Sequence, residues 1–424
     1  MIIDNHRVKI IYLIEFLERA AFYIFLASFV FLMTKENGMD EESAFSIYGT
    51  MMFLFYATPI LGGLIADRKI GYHKAVVLGS CGLLVGYALL AGLPGKGLYF
   101  AIAALSVGHG LYKPGLIALF ANTVAAERRD TAFVVLFGVI NLAAGLGASM
   151  ADSLSAYGGQ ALVCAFSASC LAIATGLALA LLRTERAGQA EPSSQTGVSV
   201  GPATPAAHGA AVRWALMLQI LVIMGLSQAA TMQTQAELRL WSRSHADLTF
   251  GGLWTPEWGR VLLQASDGIF QVLLLPFVVL LFNYLRRRSN EPSSVAKVGM
   301  ALVLQLLPCV LLFRAAQVGN HGQLAGTGWI LGASLAGALP SLFLIPLALS
   351  MISRLIPRDR QATLFALWFL LMPIMNSIDS RILKWSVAGP SEWRFLPAAV
   401  FALIAAVWWI ANSRKTEQAL AQTA

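Results

Sequence analysis

Charge is scarce in this sequence. Only 12% of its 424 residues are Asp, Glu, Lys or Arg, against about 25% in an ordinary soluble domain. So little polar surface cannot keep a chain of 57% apolar content in water. The mean hydropathy of +0.68 is spread through long apolar runs rather than one core, so lipid must be the solvent. Cysteine is also sparse: Cys81, Cys164, Cys170 and Cys309 all sit inside apolar runs without metal-ligand spacing, which makes them packing residues. No phosphate-cradling glycine loop or nucleophile elbow stands in a plausible context, so neither an enzyme nor a bound cofactor or metal is expected. The net charge of +8 comes from basic residues at the ends of apolar runs, which is a topology signal and not a nucleic-acid surface.

What the sequence does have is apolar runs of spanning length. A helix needs about 20 apolar residues to cross the hydrocarbon core. That ruler places twelve spans near 9–33, 45–67, 75–93, 97–123, 131–155, 159–183, 213–236, 259–285, 296–314, 327–355, 360–385 and 391–413. The first contains Glu15, Glu18 and Arg19 and lacks a small-residue cleavage site, so it is expected to remain as a span rather than to leave as a signal peptide. Residues 184–212 are rich in Ala, Gly, Pro, Ser and Thr without apolar periodicity and read as a flexible linker. The expected organisation is an N-terminal six-helix bundle over 1–183, a cytoplasmic linker over 184–212 and a C-terminal six-helix bundle over 213–424. A faint repeat relates the halves: Pro59 precedes the basic turn at Arg68 and Lys74 after span 2, and Pro276 precedes Arg286, Arg287 and Arg288 after span 8. Two halves rocking about a midplane cavity would follow from such symmetry.

Several ionisable residues lie where lipid should exclude them. Gly62 to Lys74, GGLIADRKIGYHK, resembles the loop between helices 2 and 3 of the major facilitator superfamily, with Asp67 able to cap a helix end of the other half. In span 1, Glu15, Glu18 and Arg19 share one helical face. A charge at the bilayer centre costs about 2.5–3.5 kcal/mol on insertion scales, so three together need a polar cavity or mutual pairing. A proton relay facing the central cavity and a structural ion pair both satisfy that. Span 4 carries His109, Lys113 and Pro114 in the run GHGLYKPG. Lys113 is too deep to snorkel and is read as a cation that meets a carboxylate-bearing ligand, or pairs with the span 1 glutamates when empty. His109 is either a packed neutral ring or a proton carrier.

EFLERAAFY, LYKPG, VLFGVINLAAG, EPSSVAK and LSMISRLIPRDRQATLFALWFL together resemble signatures of the proton-dependent oligopeptide transporters, and the likeness covers most of the chain. The resemblance implies the all-α major facilitator fold, twelve transmembrane helices in two six-helix halves, working by alternating access. It further implies Glu15, Glu18 and Arg19 as the proton-coupling cluster, Lys113 as the residue that helps bind a peptide carboxylate, and Tyr23, Asn141 and Trp368 as pocket lining. The sequence departs from the family at three places. Leu26 stands where an arginine is usual, and Ser227, beside Gln228, where its acidic partner is usual, so that pair is lost without stranding a charge. Ser341 stands where a helix 10 glutamate would face the lysine. Asp267 in span 8 is a candidate replacement, either offsetting Lys113 or receiving a substrate amine, or else a solvated helix-end acid. Asp152 and Asp379 are expected near the outer ends of their spans and solvated.

The leading expectation is a proton-coupled importer of small peptides or peptide-like anionic solutes in the bacterial inner membrane. Its expected partners are the substrate, protons and the lipid bilayer, with the chain a monomer. The alternative is a proton-antiport exporter of a carboxylate-rich, amino-acid-derived metabolite such as a siderophore, favoured by loss of the helix 10 acid. A receptor that keeps the fold without transporting is a third class. Cytoplasmic loops assigned with both termini inside collect most of the Lys and Arg, among them Arg68, Arg128, Arg129, Arg286, Arg354 and Arg358. A reporter enzyme that works only in the periplasm, fused after Thr423, is therefore expected to be silent, and activity there would overturn the orientation.

Overall fold

The computed structural model describes residues 5–93, 97–190, 207–249, 251–319, 324–387 and 391–421. Lipid offers the backbone no hydrogen-bonding partner, so each spanning segment must satisfy its amides internally, and helices result. In chain order they are α1 (His6–Lys35), α2 (Glu41–Ile65), α3 (Tyr72–Gly92), α4 (Leu98–Thr123), α5 (Arg129–Ala190) and α6 (Ala207–His245). There follow α7 (Pro256–Arg287), α8 (Ser294–Leu304), α9 (Leu306–Gly319), α10 (Thr327–Leu355), α11 (Gln361–Val387) and α12 (Leu396–Ala421). Among the described residues there is no strand, and the isolated bridge between Ala246 and Ala325 is a loop contact.

Ten segments among the described residues are long and apolar enough to cross a bilayer. One of them, Ala126–Thr184, holds two spans, because Gly158 and Gly159 leave helical geometry inside α5. With α11, apolar over Gln361–Met375, the expected twelve are accounted for. Span 9 is α8 and α9 together, interrupted at Gln305 three residues before Pro308, which cannot donate to the carbonyl four residues earlier. The expected linker is shorter than its composition indicated. Helix α5 runs on to Ala190 and α6 begins at Ala207, both through alanine-containing sequence of good helix propensity. The linker's centre, 191–206, lies outside the described residues.

Helix starts follow local chemistry. Asn5, Asp40, Thr255 and Ser293 each accept a hydrogen bond from a first-turn amide of α1, α2, α7 and α8. The restart inside α5 is capped from a distance. Glu36, just past α1, accepts the Gln160 amide through both carboxylate oxygens at 2.9 Å. A Cβ on Gly159, whose φ is +55°, would lie 2.2 Å from that carboxylate, so only glycine leaves room for the cap.

Contacts divide the chain into two compact units. Unit 1 comprises Met1–Ala126, Leu142–Ala215 and Leu355–Leu370; unit 2 comprises Glu127–Asn141, Leu216–Arg354 and Leu371–Ala424. The first turns of α5 thus group with unit 2, and those of α11 with unit 1. In unit 1, α4 packs backbone to backbone against α2 and α3. A Cβ on Gly62 would sit 2.0 Å from the Gly110 carbonyl oxygen, and one on Gly108 would sit 2.6 Å from the Leu83 amide. Such small-residue contacts are how helices associate where lipid removes the hydrophobic drive. Asp67, after α2, accepts the Ala362 and Thr363 amides at 3.0 and 2.8 Å and so caps the start of α11.

Unit 2 carries an ionic network that the sequence reading missed. Asp130, in the first turn of α5, accepts from Ser294 (2.6 Å), Lys297 (3.2 Å), Ser350 (2.6 Å) and Arg354 (2.7 Å). Lys297 continues to Glu291 at 2.7 Å, and Arg286 holds Glu291 through two nitrogens at 2.6 and 3.0 Å. Residues taken only as topology charges thereby tie α5, α7, α8 and α10 together. Asp152 is exposed, as expected, whereas the Asp379 side chain lies outside the described residues.

Two outcomes follow. Gly62→Ala should drive a methyl group into the α4 backbone, cost more than the roughly 1–3 kcal/mol of ordinary overpacking, and lower the melting temperature in detergent. Gly49→Ala, which meets nothing within 4 Å, should not. A second outcome concerns pH. Burial pushes the Glu291 carboxyl up, but the hydrogen bonds and charges of Arg286 and Lys297 outweigh it and hold the carboxyl below the usual range. Its contribution to stability is therefore present above the unfolded value of about 4.3 and disappears as pH falls through the lowered folded value. Melting curves of wild type and Glu291→Gln should differ at neutral pH and converge in acid; a constant gap would contradict the ion-pair account.

Candidate functional site

The polar centre of unit 1 is built by α1 and α4. Glu15, Glu18 and Arg19 fall on the face of α1 turned inward, with exposures of 0, 1 and 6%. Arg19 reaches Glu18 through Nε and Nη2, both at 2.5 Å, and its Nε lies 4.0 Å from Glu15 Oε1. From α4, Lys113, 6% exposed, donates to the same Glu15 oxygen. Two carboxylates thus face two cations, and the group is neutral as a whole. Glu15 Oε2 is buried and meets no hydrogen-bond donor among the described residues.

Aromatic side chains close the cluster. The Arg19 guanidinium lies 4.5 Å from the Phe22 ring centroid, and Lys113 Nζ lies 5.8 Å from that of Phe369 on α11. Tyr23 packs edge-on against Phe22 and is half-buried. Trp368, beside Phe369, is buried, and its indole N–H meets no acceptor among the described residues. His109 is stacked on Phe55 (5.2 Å) and Phe22 (6.0 Å), and its Nδ1 lies 3.2 Å from the Phe55 carbonyl. That oxygen can only accept, so Nδ1 carries the proton and donates. The packed reading of His109 fits this setting.

The other sequence-selected residues lie in unit 2. Asn141 donates through Nδ2 to Gln271 Oε1 at 2.6 Å, and Gln271 donates to Asp267 at 2.8 Å. Asp267 borders a cavity of about 40 Å³, whose lining includes Gln235, Arg239, Gln305 and Ser334. Asp267 is half-buried and is thus partnered inside unit 2. Ser341 is buried and, among the described residues, bonds only back to the Gly337 carbonyl, 3.0 Å away. Gln228 is half-buried on α6, and Ser227, its neighbour, donates to Gln305 at 2.9 Å.

Sequence reasoning missed Gln271, a lone amide in an apolar stretch, and Glu237, fully buried and bonded by Gln233 at 3.3 Å. The expected end of span 7 at 236 left Glu237 outside, whereas α6 continues to His245. Among the described residues no group of three His, Cys, Asp or Glu could hold a metal.

Known proteins agree with this architecture. Dipeptide and tripeptide permease A of Salmonella typhimurium is 24% identical over 90% of this chain and 84% of its own. The uncharacterized transporter YclF of Bacillus subtilis is 24% identical over 87% and 85%. A crystal structure of a POT family transporter in complex with a thioalcohol-conjugated peptide superposes with a TM-score of 0.65 at 19% identity, covering 96% of each chain. One of peptide transporter POT in complex with sulfate gives 0.63 at 20%, covering 97% and 95%. The fold is that of these transporters, and peptide permeases are among the named relatives, as the motifs had indicated. The family profile described as Major Facilitator Superfamily matches residues 11–288, well over half of the sequence, and the chain therefore belongs to that superfamily of membrane transporters.

Proposed function

We propose that the chain imports small peptides or peptide-like anionic solutes by alternating access, coupled to protons. The observation that carries this reading is the Glu15–Lys113 pair inside the neutral cluster of unit 1. A substrate carboxylate that engages Lys113 adds one negative charge and withdraws the cation from Glu15. In a low-dielectric interior an unpaired carboxylate is not tolerated; it takes up a proton instead. One anion and one proton together restore neutrality, so their binding is linked through a shared cation. Release on the other side reverses both events, and re-formation of the ion pair expels the proton.

The glutamates are sealed in the conformation described, so a proton reaches them only when the cluster opens. A structural ion pair would have no need to open. We assign Glu15, Glu18 and Arg19 to proton coupling, Lys113 to the substrate carboxylate, and Tyr23, Trp368, Asn141, Gln228, Asp267 and Ser341 to the surroundings of the substrate. The positive-inside pattern supports a bacterial inner-membrane location with both termini cytoplasmic, and the two six-helix halves joined by a linker are the bodies expected to move. The names of the relatives favour peptides over the siderophore-exporter alternative.

The experiment is uptake of a labelled dipeptide into proteoliposomes under an imposed pH gradient, acidic outside. Wild type should accumulate it, Lys113→Ala should lose most of the uptake, and Glu18→Gln should retain exchange but lose gradient-driven accumulation. Accumulation that ignores the gradient, or that survives intact in Glu18→Gln, removes the coupling assignment. Failure of unlabelled dipeptides to compete would instead favour the exporter.

A further inference from the structure

Within unit 2 a groove of about 600 Å³ runs between α8 and α12, on residues outside the proposed substrate and proton sites. That volume falls within the roughly 300–1,000 Å³ of small-molecule sites. Its floor is formed by Val295, Gly299 and Trp409. The Trp409 indole donates to the Val295 carbonyl at 2.8 Å, so the ring is held in place and its polar atom is satisfied within the protein. A Cβ on Gly299 would already lie 3.4 Å from that ring, and a longer side chain there would take up the hollow. Ala296, Met300, Val303, Leu304 and Ile410 form an exposed apolar rim.

The two ends of the groove differ in chemistry. The indole bond puts Trp409 level with Val295, and from there α8 continues to Leu304, about 14 Å along its axis. One leaflet supplies half of a hydrocarbon core of about 30 Å, so this apolar part matches the depth of an acyl chain. In the other direction α12 leaves its expected span near 413 and brings Ser413 and Glu417 to the groove, on the same helical face as Trp409. Arg414, four residues after Ile410, follows the outer edge. Arg414 and Glu417 stand three apart, a spacing at which opposite charges can pair on a helix. Among the described residues, however, neither side chain has an ion-pair or hydrogen-bond partner. Along the axis the cation comes first and the acid about 4.5 Å further out.

We propose that this groove holds one membrane phospholipid with an ethanolamine head. In such a lipid the phosphate adjoins the glycerol and the ammonium lies two carbons beyond it, the order in which α12 presents Arg414 and Glu417. An acyl chain fills the apolar part over Gly299, the phosphate meets Arg414, and the ammonium donates to Glu417. Phosphatidylglycerol with the same chains keeps the phosphate contact, but hydroxyl groups replace the ammonium and Glu417 is left without a counter-charge. Failure of this site would leave peptide transport standing, because the two share no residue.

Native mass spectrometry of the full-length protein in detergent, titrated with dipalmitoyl phosphatidylethanolamine or dipalmitoyl phosphatidylglycerol, tests it. Wild type should bind the first ethanolamine lipid about two- to fivefold more tightly, the scale of one exposed ion pair. Glu417→Gln should bring the two affinities together, and Glu417→Lys should reverse the preference. Gly299→Leu should weaken both lipids alike, since it excludes the chain and not the head. Position 417 is exposed, so its variants should fold, and they decide the matter if Gly299→Leu does not. A wild type without preference, or a preference that Glu417→Lys leaves unchanged, overturns the proposal. A dimer that Gly299→Leu dissolves would assign the groove to a second copy of the chain and overturn it equally.

Discussion

An isolated charge in a hydrocarbon-soluble bundle costs several kcal/mol, and the arrangement of unit 1 follows from the need to avoid one. Glu15, Glu18, Arg19 and Lys113 could not be buried singly. Together they form a group of zero net charge in which Arg19 spans the two glutamates and Lys113 completes the balance. That balance requires α4 to come close enough for a lysine to reach α1, and the glycine contacts of α4 with α2 and α3 are consistent with so tight an approach.

The same rule operates in unit 2 with different parts. Asp130 takes four donors, two of them cationic, so its burial leaves no unpaired charge. Asp267 is half-buried and takes a neutral donor, Gln271 at 2.8 Å, which in turn accepts from Asn141 at 2.6 Å. Amide chains of this kind transmit orientation rather than charge. A carboxylate can therefore govern a side chain that it never touches, which pairwise contact reasoning overlooks.

What the sequence made legible divides along physical lines. Membrane spans were readable because each is set by the thickness of lipid, a constraint that acts on every stretch of about 20 residues independently. The Glu15, Glu18 and Arg19 cluster was readable because helical periodicity places all three on one face, and Lys113 because a deep lysine has few alternatives. Partners brought in from distant sequence were not readable. Nothing local in Glu36 tells that it caps the restart of α5 at Gln160, or in Asp130 that four donors from α8 and α10 converge on it. The end of α6 was misjudged for a related reason: Glu237 looks like the edge of lipid, yet it is buried beside Gln233 and the helix continues to His245.

The departures from the peptide-transporter pattern become coherent on the same terms. With serine at 341 there is no acid on α10 to neutralise Lys113, and the structure supplies that charge from Glu15 within unit 1. With serine at 227 and leucine at 26, both members of a further pair are gone, and Ser227 instead bonds Gln305 at the break between α8 and α9. Each unit is thereby balanced by its own residues, where the family pattern implies balance by partners from both halves.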